Sequence, residues 1–350
     1  MRKIVKQVVA IDVAKDELVV CLGKMYDDWS PEVYARKTFK NNTKGFEALL
    51  GWVKKQTVED VPFRFIMEAT GVYHESFAYY LDERGQEVSI VLPNKISNYM
   101  RTLEIKTITD STASEAIARF GLERRLDTWR RPKDIFRKLR QLTRERGQII
   151  EERTMVKNQL HAEKTEAYPN KTTLLRIQSR IKLLTKQEQE IRAEIAALVA
   201  TEEEIKKTMI LLRSVTGVGL LTAATVLGET NGFELIRNRR QIASYAGFDV
   251  KEKQSGTSVK GKPKISKKGN KYLRRAMHLP ALAAIRNDER FKAVFTRIVS
   301  KNGIKMKAAV AVQRKLLEMI YTVFKTQTKY EKGYLQKLDK VENEILQEGY

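Results

Sequence analysis

Residues 8–12 read Val8-Val9-Ala10-Ile11-Asp12, and residues 18–22 read Leu18-Val19-Val20-Cys21-Leu22, with a short polar connection between them. Two apolar runs so close together predict a pair of antiparallel strands joined by a tight turn. Upstream, the basic and then apolar start of the chain is interrupted by Lys6 and Asp12, so it reads as part of the first strand and not as a signal peptide. Downstream, Phe39 marks a third strand. Asn41-Asn42-Thr43 then makes a helix start ahead of Phe46, Leu49, Leu50 and Val53. Phe63-Arg64-Phe65-Ile66-Met67 is a further buried strand with Glu68 at its end, and Val88-Ser89-Ile90-Val91-Leu92 stops at Pro93. A helical stretch follows from about Asp110 to Leu122. Strands feeding helices in this way make an α/β layer over residues 1–133.

The rest of the chain changes character. Over 134–206 glycine is scarce, charge is dense, and Leu139, Leu142, Ile149, Val156 and Leu160 recur at helical spacing. Pro169-Asn170 breaks the run before Ile177, Ile181, Leu184, Ile191, Ile195 and Leu198 continue it, which predicts a long antiparallel helical hairpin or coiled coil. By itself such an element reads as a spacer or oligomerisation arm with no chemistry. From 207 to 330 a mainly helical segment is expected, and 331–350 reads as a charged C-terminal helix or tail. Ser214-Val215-Thr216-Gly217-Val218-Gly219 opens a helix over Leu220 to Gly228, and a glycine pair there lets backbone N–H groups approach phosphate, as in helix-hairpin-helix modules. Gly pairs also serve ordinary helix packing, so both readings stay open. The fold class is thus α/β plus α.

Sixty-six Lys and Arg against forty-three Asp and Glu give a net charge of +23 over 350 residues. That excess favours a polyanionic partner, nucleic acid first. Hydrophobic residues at 42 % suffice for real cores and argue against wholesale disorder. One cysteine, Cys21, excludes an internal disulfide framework. With only His74, His161 and His278 beside it, a structural zinc site is disfavoured too. No apolar run approaches membrane-span length. The expected class is a cytoplasmic, nucleoid-associated, nucleic-acid-binding protein.

Asp12, Glu68 and Asp110 stand at strand ends or at a helix start, where a fold gathers distant segments. Hard divalent cations take such oxygen ligands, and a bound pair can stabilise both oxygens of a phosphodiester displacement. On spacing alone Asp12 is equally a turn residue and Asp110 a helix N-cap. A second constellation spans 247–275 and includes Gln254-Ser255-Gly256, then Ile265-Ser266-Lys267-Lys268-Gly269-Asn270. From 251 to 275 there are ten Lys or Arg and one acid, Glu252, so a polar, Gly-rich loop lies in a dense basic cluster suited to gripping phosphates. A solvated basic loop is the bland alternative. A serine hydroxyl needs a base, a metal or strong phosphate polarisation, and no His lies near Ser255 in sequence.

Asp12 in Val-Val-Ala-Ile-Asp-Val-Ala-Lys, Glu68 in Met-Glu-Ala-Thr-Gly-Val-Tyr and Asp110 in Lys-Thr-Ile-Thr-Asp, followed by Ala116-Ile-Ala-Arg-Phe-Gly121, resemble one family. It is the DEDD transposases of the insertion-sequence group described as bridge-RNA-guided recombinases, related to the pilin-gene DNA invertases. The serine stretch resembles the C-terminal transposase domain of the same family, and both motif sets occur in order over about residues 8–290.

The resemblance implies an N-terminal RuvC-like domain, a variety of RNase H fold, in which Asp12, Glu68 and Asp110 bind Mg²⁺. It implies Ser255 as nucleophile, a covalent phosphoserine intermediate and strand exchange. It further implies a noncoding bridge RNA, donor and target DNA, and a dimer of dimers with the helical hairpin as its arm. Because the two half-sites come from distant domains, an active site completed between subunits is expected. Phosphate contacts are then expected from Lys106, Arg124, Arg125, Arg130, Arg131, Lys260, Lys262, Lys264, Lys267, Lys268 and Arg274. The family's fourth acid is missing: its position is Ala113. Ser114 is a weak, neutral ligand, and Glu115 lies roughly 140° round the helix. Ala113 marks either a natural variant or an alanine introduced to stop catalysis, the second being the reading taken here. A metal-dependent structure-specific endonuclease that does not use Ser255, and a noncatalytic nucleic-acid-binding derivative, are the alternatives.

Overall fold

The computed structural model describes residues 2–69, 71–103, 109–234, 236–251, 254–255, 259–260 and 264–333. It divides into two compact units, Met1–Arg131 and Pro132–Tyr350. The first unit opens with β1 (Ile4–Val13), β2 (Glu17–Tyr26) and β3 (Pro31–Lys40), a meander of antiparallel strands. Helix α1 (Thr43–Gln56) follows, its first turn capped by the Asn42 side chain, which accepts from the Gly45 N–H. β4 (Phe63–Glu68), α2 (Glu75–Asp82), β5 (Val88–Val91), α3 (Pro93–Met100) and α4 (Asp110–Glu123) complete the unit. Parallel neighbours need crossover connections: α1 separates the antiparallel meander from β4, and α2 links β4 to β5. The sheet order is accordingly β3-β2-β1-β4-β5, with β1, β4 and β5 parallel.

β1 reads as one apolar run because both of its faces are covered. Val9, Ile11 and Val13 pack with Phe46, Leu49, Phe65, Phe77 and Leu81 from the α1 and α2 side. Val8 and Ala10 pack with Ile66, Ile96, Ile117 and Leu122 from the α3 and α4 side. Gly121 lets α4 lie this close: a Cβ there would stand 1.9 Å from Ile66 Cδ1. Two expectations change in detail. Pro93 does not merely end a strand but supplies the first residue of α3, where its missing N–H costs nothing. Asp12 is not a turn residue; it lies within β1, opposite Val19.

The second unit is mainly helical. α5 (Asp134–Thr165) and α6 (Lys171–Ala200) run antiparallel: Arg146 and Arg153 on α5 pair with Glu188 on α6, while Val156 meets Ile177 and Leu184 nearer the turn. α7 (Glu203–Arg213), α8 (Leu220–Thr230) and α9 (Arg239–Tyr245) follow. Between α7 and α8, Gly217 adopts φ +87° and Gly219 is the N-cap. Next come four two-residue strands, β6 (Val250–Lys251), β7 (Gln254–Ser255), β8 (Val259–Lys260) and β9 (Lys264–Ile265), within the expected polar, Gly-rich segment. α10 (Lys271–Ala276), α11 (His278–Asn287), α12 (Glu289–Asn302) and α13 (Lys305–Thr326) close the unit. α13 runs through the core with Val312, Leu316, Leu317 and Ile320 buried. It stops at Gln327, whose φ is +54°, so no helix runs on through 327–333. The rest of the tail expected at 331–350 lies outside the described residues. No helix among the described residues is long and apolar enough to cross a membrane.

Candidate active site

Parallel pairing of β1 and β4 sets Ile11 beside Met67. The next residues, Asp12 and Glu68, therefore come to the same end of the sheet. Asp110 is the first residue of α4. It is not the N-cap: Thr109 takes that place, accepting from the Thr112 N–H while the Thr112 hydroxyl accepts from the Thr109 N–H. Asp12 and Glu68 are half-buried and Asp110 is exposed. Burial raises the Asp12 carboxyl above the ordinary range and repulsion from Asp110 adds to this, with a hydrogen bond from the Val13 backbone opposing. Glu68 is raised by burial and by the charge of Asp12. Asp12 thus links the set electrostatically to Glu68 and to Asp110, and none of the three forms an ion pair among the described residues.

The side chains around Ala113 do not replace a missing ligand. Ser114 is buried and its hydroxyl donates to the Ser111 carbonyl at 2.9 Å. Glu115 is held by Arg36 at 3.3 Å and by Arg119 at 3.2 Å. As donors, carboxylate oxygens suit a hard divalent cation. Among the described residues, however, no three acidic, His or Cys side chains already close into a cage for one. Residues 104–108, which lead into Asp110 and include Lys106, lie outside the described residues.

In the second unit, Ser255 lies in β7 with Val259 opposite it, and Gln254 faces Lys260. β6 and β9 pair through Val250–Ile265 and Lys251–Lys264 to form a short stem. Ser266 ties the stem off, its hydroxyl donating to Asp249 at 2.6 Å and its N–H to the Asp249 carbonyl at 2.7 Å.

Of the expected phosphate contacts, Arg124 and Arg125 are exposed and line a groove of about 440 Å³ with Phe63 and Arg64. Arg130 is exposed as well. Arg131 is engaged, bonded to Glu83 at 3.1 Å and stacked over Tyr79. Lys264, Lys267 and Lys268 are exposed, Lys267 with φ +52°. Lys260 is described only as the backbone partner of Gln254, and Lys262 lies outside the described residues. Arg274 is engaged within the unit, its guanidinium donating to the carbonyls of Ala246 at 2.7 Å and Gly269 at 3.2 Å.

Sequence reasoning missed Glu229. Its side chain is 1 % exposed and accepts from Arg144 Nε at 2.7 Å and Arg144 Nη2 at 2.8 Å. Asn270 Nδ2 donates to the same carboxylate at 2.7 Å. The available signal was one acid near the end of an otherwise uncharged helical stretch, Glu229 just past the expected Leu220 to Gly228.

Residues 9–169 match the model of the IS110-type DEDD transposase domain, and residues 209–296 match that of the IS116/IS110/IS902 transposase family. The chain belongs to the IS110 transposase family. By that membership it is a DNA transposase or recombinase. It is 27 % identical over 328 residues to the pilin gene-inverting protein of Moraxella bovis, covering 93 % of this chain and 98 % of that one. The Moraxella lacunata protein of the same name is 27 % identical over 331 residues, with the same coverage. An IS110 protein of Streptomyces coelicolor is 29 % identical over 145 residues, or 41 % of this transposase and 35 % of that protein. Among solved structures, Thermus thermophilus RuvC in complex with a Holliday junction substrate aligns at 10 % identity and a TM-score of 0.27. That alignment covers 35 % of this chain and 99 % of RuvC.

Proposed function

We propose that this transposase is an RNA-guided recombinase that cuts and rejoins DNA through a covalent phosphoserine intermediate, its N-terminal unit serving as a RuvC-like metal domain. The observation that carries the reading is that Asp12 lies within electrostatic reach of both Glu68 and Asp110, with no ion pair to any of the three among the described residues, in a chain whose other family domain contains Ser255. Asp12, Glu68 and Asp110 would hold a divalent cation, Mg²⁺ by the resemblance, which supplies charge stabilisation at the scissile phosphate.

Ser255 Oγ attacks phosphorus, the P–O3′ bond breaks, and the serine proton ends on the departing 3′ oxygen. The 5′ phosphate is left esterified to Ser255. A 3′ hydroxyl of the second DNA then attacks that ester, restoring the serine hydroxyl and a phosphodiester, so the bond energy is conserved and no ATP is needed. Choice of sequence falls to base pairing with a noncoding bridge RNA, while the protein grips backbone and shape. The net charge of +23 and the exposed Lys264, Lys267 and Lys268 support this division of labour. Assembly as a dimer of dimers through α5 and α6 accords with the apolar Met155, Leu175 and Leu183 left exposed there. The glycine turn before α8 is read as a helix-hairpin-helix-like phosphate contact.

Ala113 favours a second reading, a noncatalytic binder. The two are separated by mixing protein, the RNA transcribed from the flanks of its gene, donor and target duplexes and Mg²⁺, then resolving the products under denaturing conditions. A DNA-linked band that strengthens with Ala113→Asp and vanishes with Ser255→Ala is the expected result. Cleavage that survives Ser255→Ala points to a water-using endonuclease. Nucleic-acid binding with no band and no cleavage in any form leaves the noncatalytic binder.

A further inference from the structure

The segment that presents Ser255 leaves α9 at Tyr245 and rejoins the helical core at Asn270, and both ends hang on one residue of α8. The Tyr245 hydroxyl donates to the Glu229 main-chain carbonyl at 2.9 Å, while Asn270 Nδ2 donates to the Glu229 carboxylate at 2.7 Å. The two ends are also joined directly, since the Asn270 N–H donates to the Tyr245 carbonyl at 2.7 Å. Asn270 spends its remaining acceptor on the N–H groups of Tyr272 and Leu273, which starts α10. Arg144 of α5 grips both carboxylate oxygens of Glu229 and lies 4.3 Å from the centre of the Tyr272 ring. Above this floor Lys267 N–H reaches the Gly247 carbonyl, and Arg274 bridges the carbonyls of Ala246 and Gly269. The ends approach so closely that a Cβ on Gly269 would stand 2.5 Å from the Tyr245 carbonyl oxygen.

A carboxylate at 1 % exposure is costly to bury, and apolar side chains of equal volume commonly serve stability as well as a buried ion pair does. What an apolar replacement lacks is direction. A carboxylate fixed by a bidentate guanidinium has a set orientation, and it orients the Asn270 amide in turn. We propose that Glu229, locked by Arg144, is the positioning residue for the serine segment, holding the two roots of 246–269 in register so that Ser255 meets the scissile phosphate. The proposal rests on the reading of Ser255 as nucleophile for its catalytic consequence, but not for its structural one.

The test uses the full-length chain with Ala113→Asp, alone and combined with Glu229→Gln, Glu229→Ala or Arg144→Lys. Glu229→Gln keeps the volume but turns an amide N–H₂ toward donors. Amide hydrogen exchange of peptides covering 246–251 and 264–271 is expected to quicken at least tenfold, with α6, α12 and overall melting unchanged. The covalent DNA adduct is expected to form about ten- to a hundredfold more slowly at unchanged DNA binding in a gel shift. Exchange in those peptides that stays at the parent level in a folded Glu229→Gln protein overturns the proposal, and so does an adduct rate at the parent level. An adduct absent from the parent itself sinks the serine reading, and the exchange comparison then still decides whether Glu229 holds the segment. Should Glu229→Ala fail to fold, Glu229→Gln and Arg144→Lys carry the comparison.

Discussion

Each unit takes carboxylates out of water, and the two treat them in opposite ways. In the C-terminal unit Glu188 is met by Arg146 at 2.7 Å and by Arg153, and Glu229 by both ends of one guanidinium. In the N-terminal unit Asp12 and Glu68 have no such partner among the described residues and are pushed toward protonation by burial and by neighbouring acids. A satisfied buried charge orients structure, as at Asn270. An unsatisfied set carries a local penalty that a bound cation would relieve.

The largest effect expected from this contrast is on chemistry. In the Ala113→Asp background, Asp12→Asn should lower strand cleavage on the order of 10³-fold, comparable to withholding Mg²⁺. Ser255→Ala should abolish the DNA adduct outright. A gel assay for cleavage and adduct reads both, and an Asp12→Asn protein that cleaves at the parent rate would break the contrast.

Next comes the backbone beneath the serine segment. Gly269 has φ +150° and faces backbone atoms of Tyr245 and Gly247, so Gly269→Ala should cost about 2–4 kcal/mol in urea unfolding. Gly85, with φ +67° and open space around it, should cost only about 1 kcal/mol as Gly85→Ala. Equal costs would mean that the close approach at Gly269 is not what constrains it.

Much of the N-terminal unit was legible because its signals are local. Apolar runs mark β1, β2 and β4, and Asn42 marks a helix start. The meeting of Asp12 with Glu68 follows from parallel pairing, which no single segment encodes. α2 and α3 escaped notice because each is only eight residues long, too short for a helical period to stand out. Arg144 could not be told from the other cations of α5, and the carbonyl partners of Arg274 could not be foreseen because they are fixed only by the fold. Asn270 was visible in its motif, but not its link to Glu229, 41 residues earlier.

A smaller effect separates the paired acids by pH. Burial would raise Glu188, yet Arg153 and Arg146 outweigh it and hold the carboxyl below its usual range. An acid lowered on folding contributes stability above its unfolded value, and that contribution fades as pH falls through the folded one. Glu188→Gln should therefore cost about 1 kcal/mol at pH 7, and the difference from the parent should shrink as pH falls below the ordinary glutamate range. Thermal melts of both proteins across that range measure it. A gap that persists in acid would assign the cost to packing and not to the ion pair.

The smallest effect reverses the sign. Because ionised Asp12 is disfavoured where it stands, removing its charge should stabilise the folded chain when no divalent ion is present. The gain is held to a few tenths of a kcal/mol, since water still reaches and screens a half-buried carboxylate. Millimolar Mg²⁺ should then raise the melting temperature of the parent and not that of Asp12→Asn, because a ligand stabilises only the form it binds. Glu229→Gln should behave in the opposite way, leaving overall melting unchanged in the metal-free chain and keeping the parent's response to Mg²⁺. If Asp12→Asn destabilised the metal-free chain as much as Glu188→Gln does, Asp12 would be a paired structural acid like the others, and the difference between the two units would be one of burial alone.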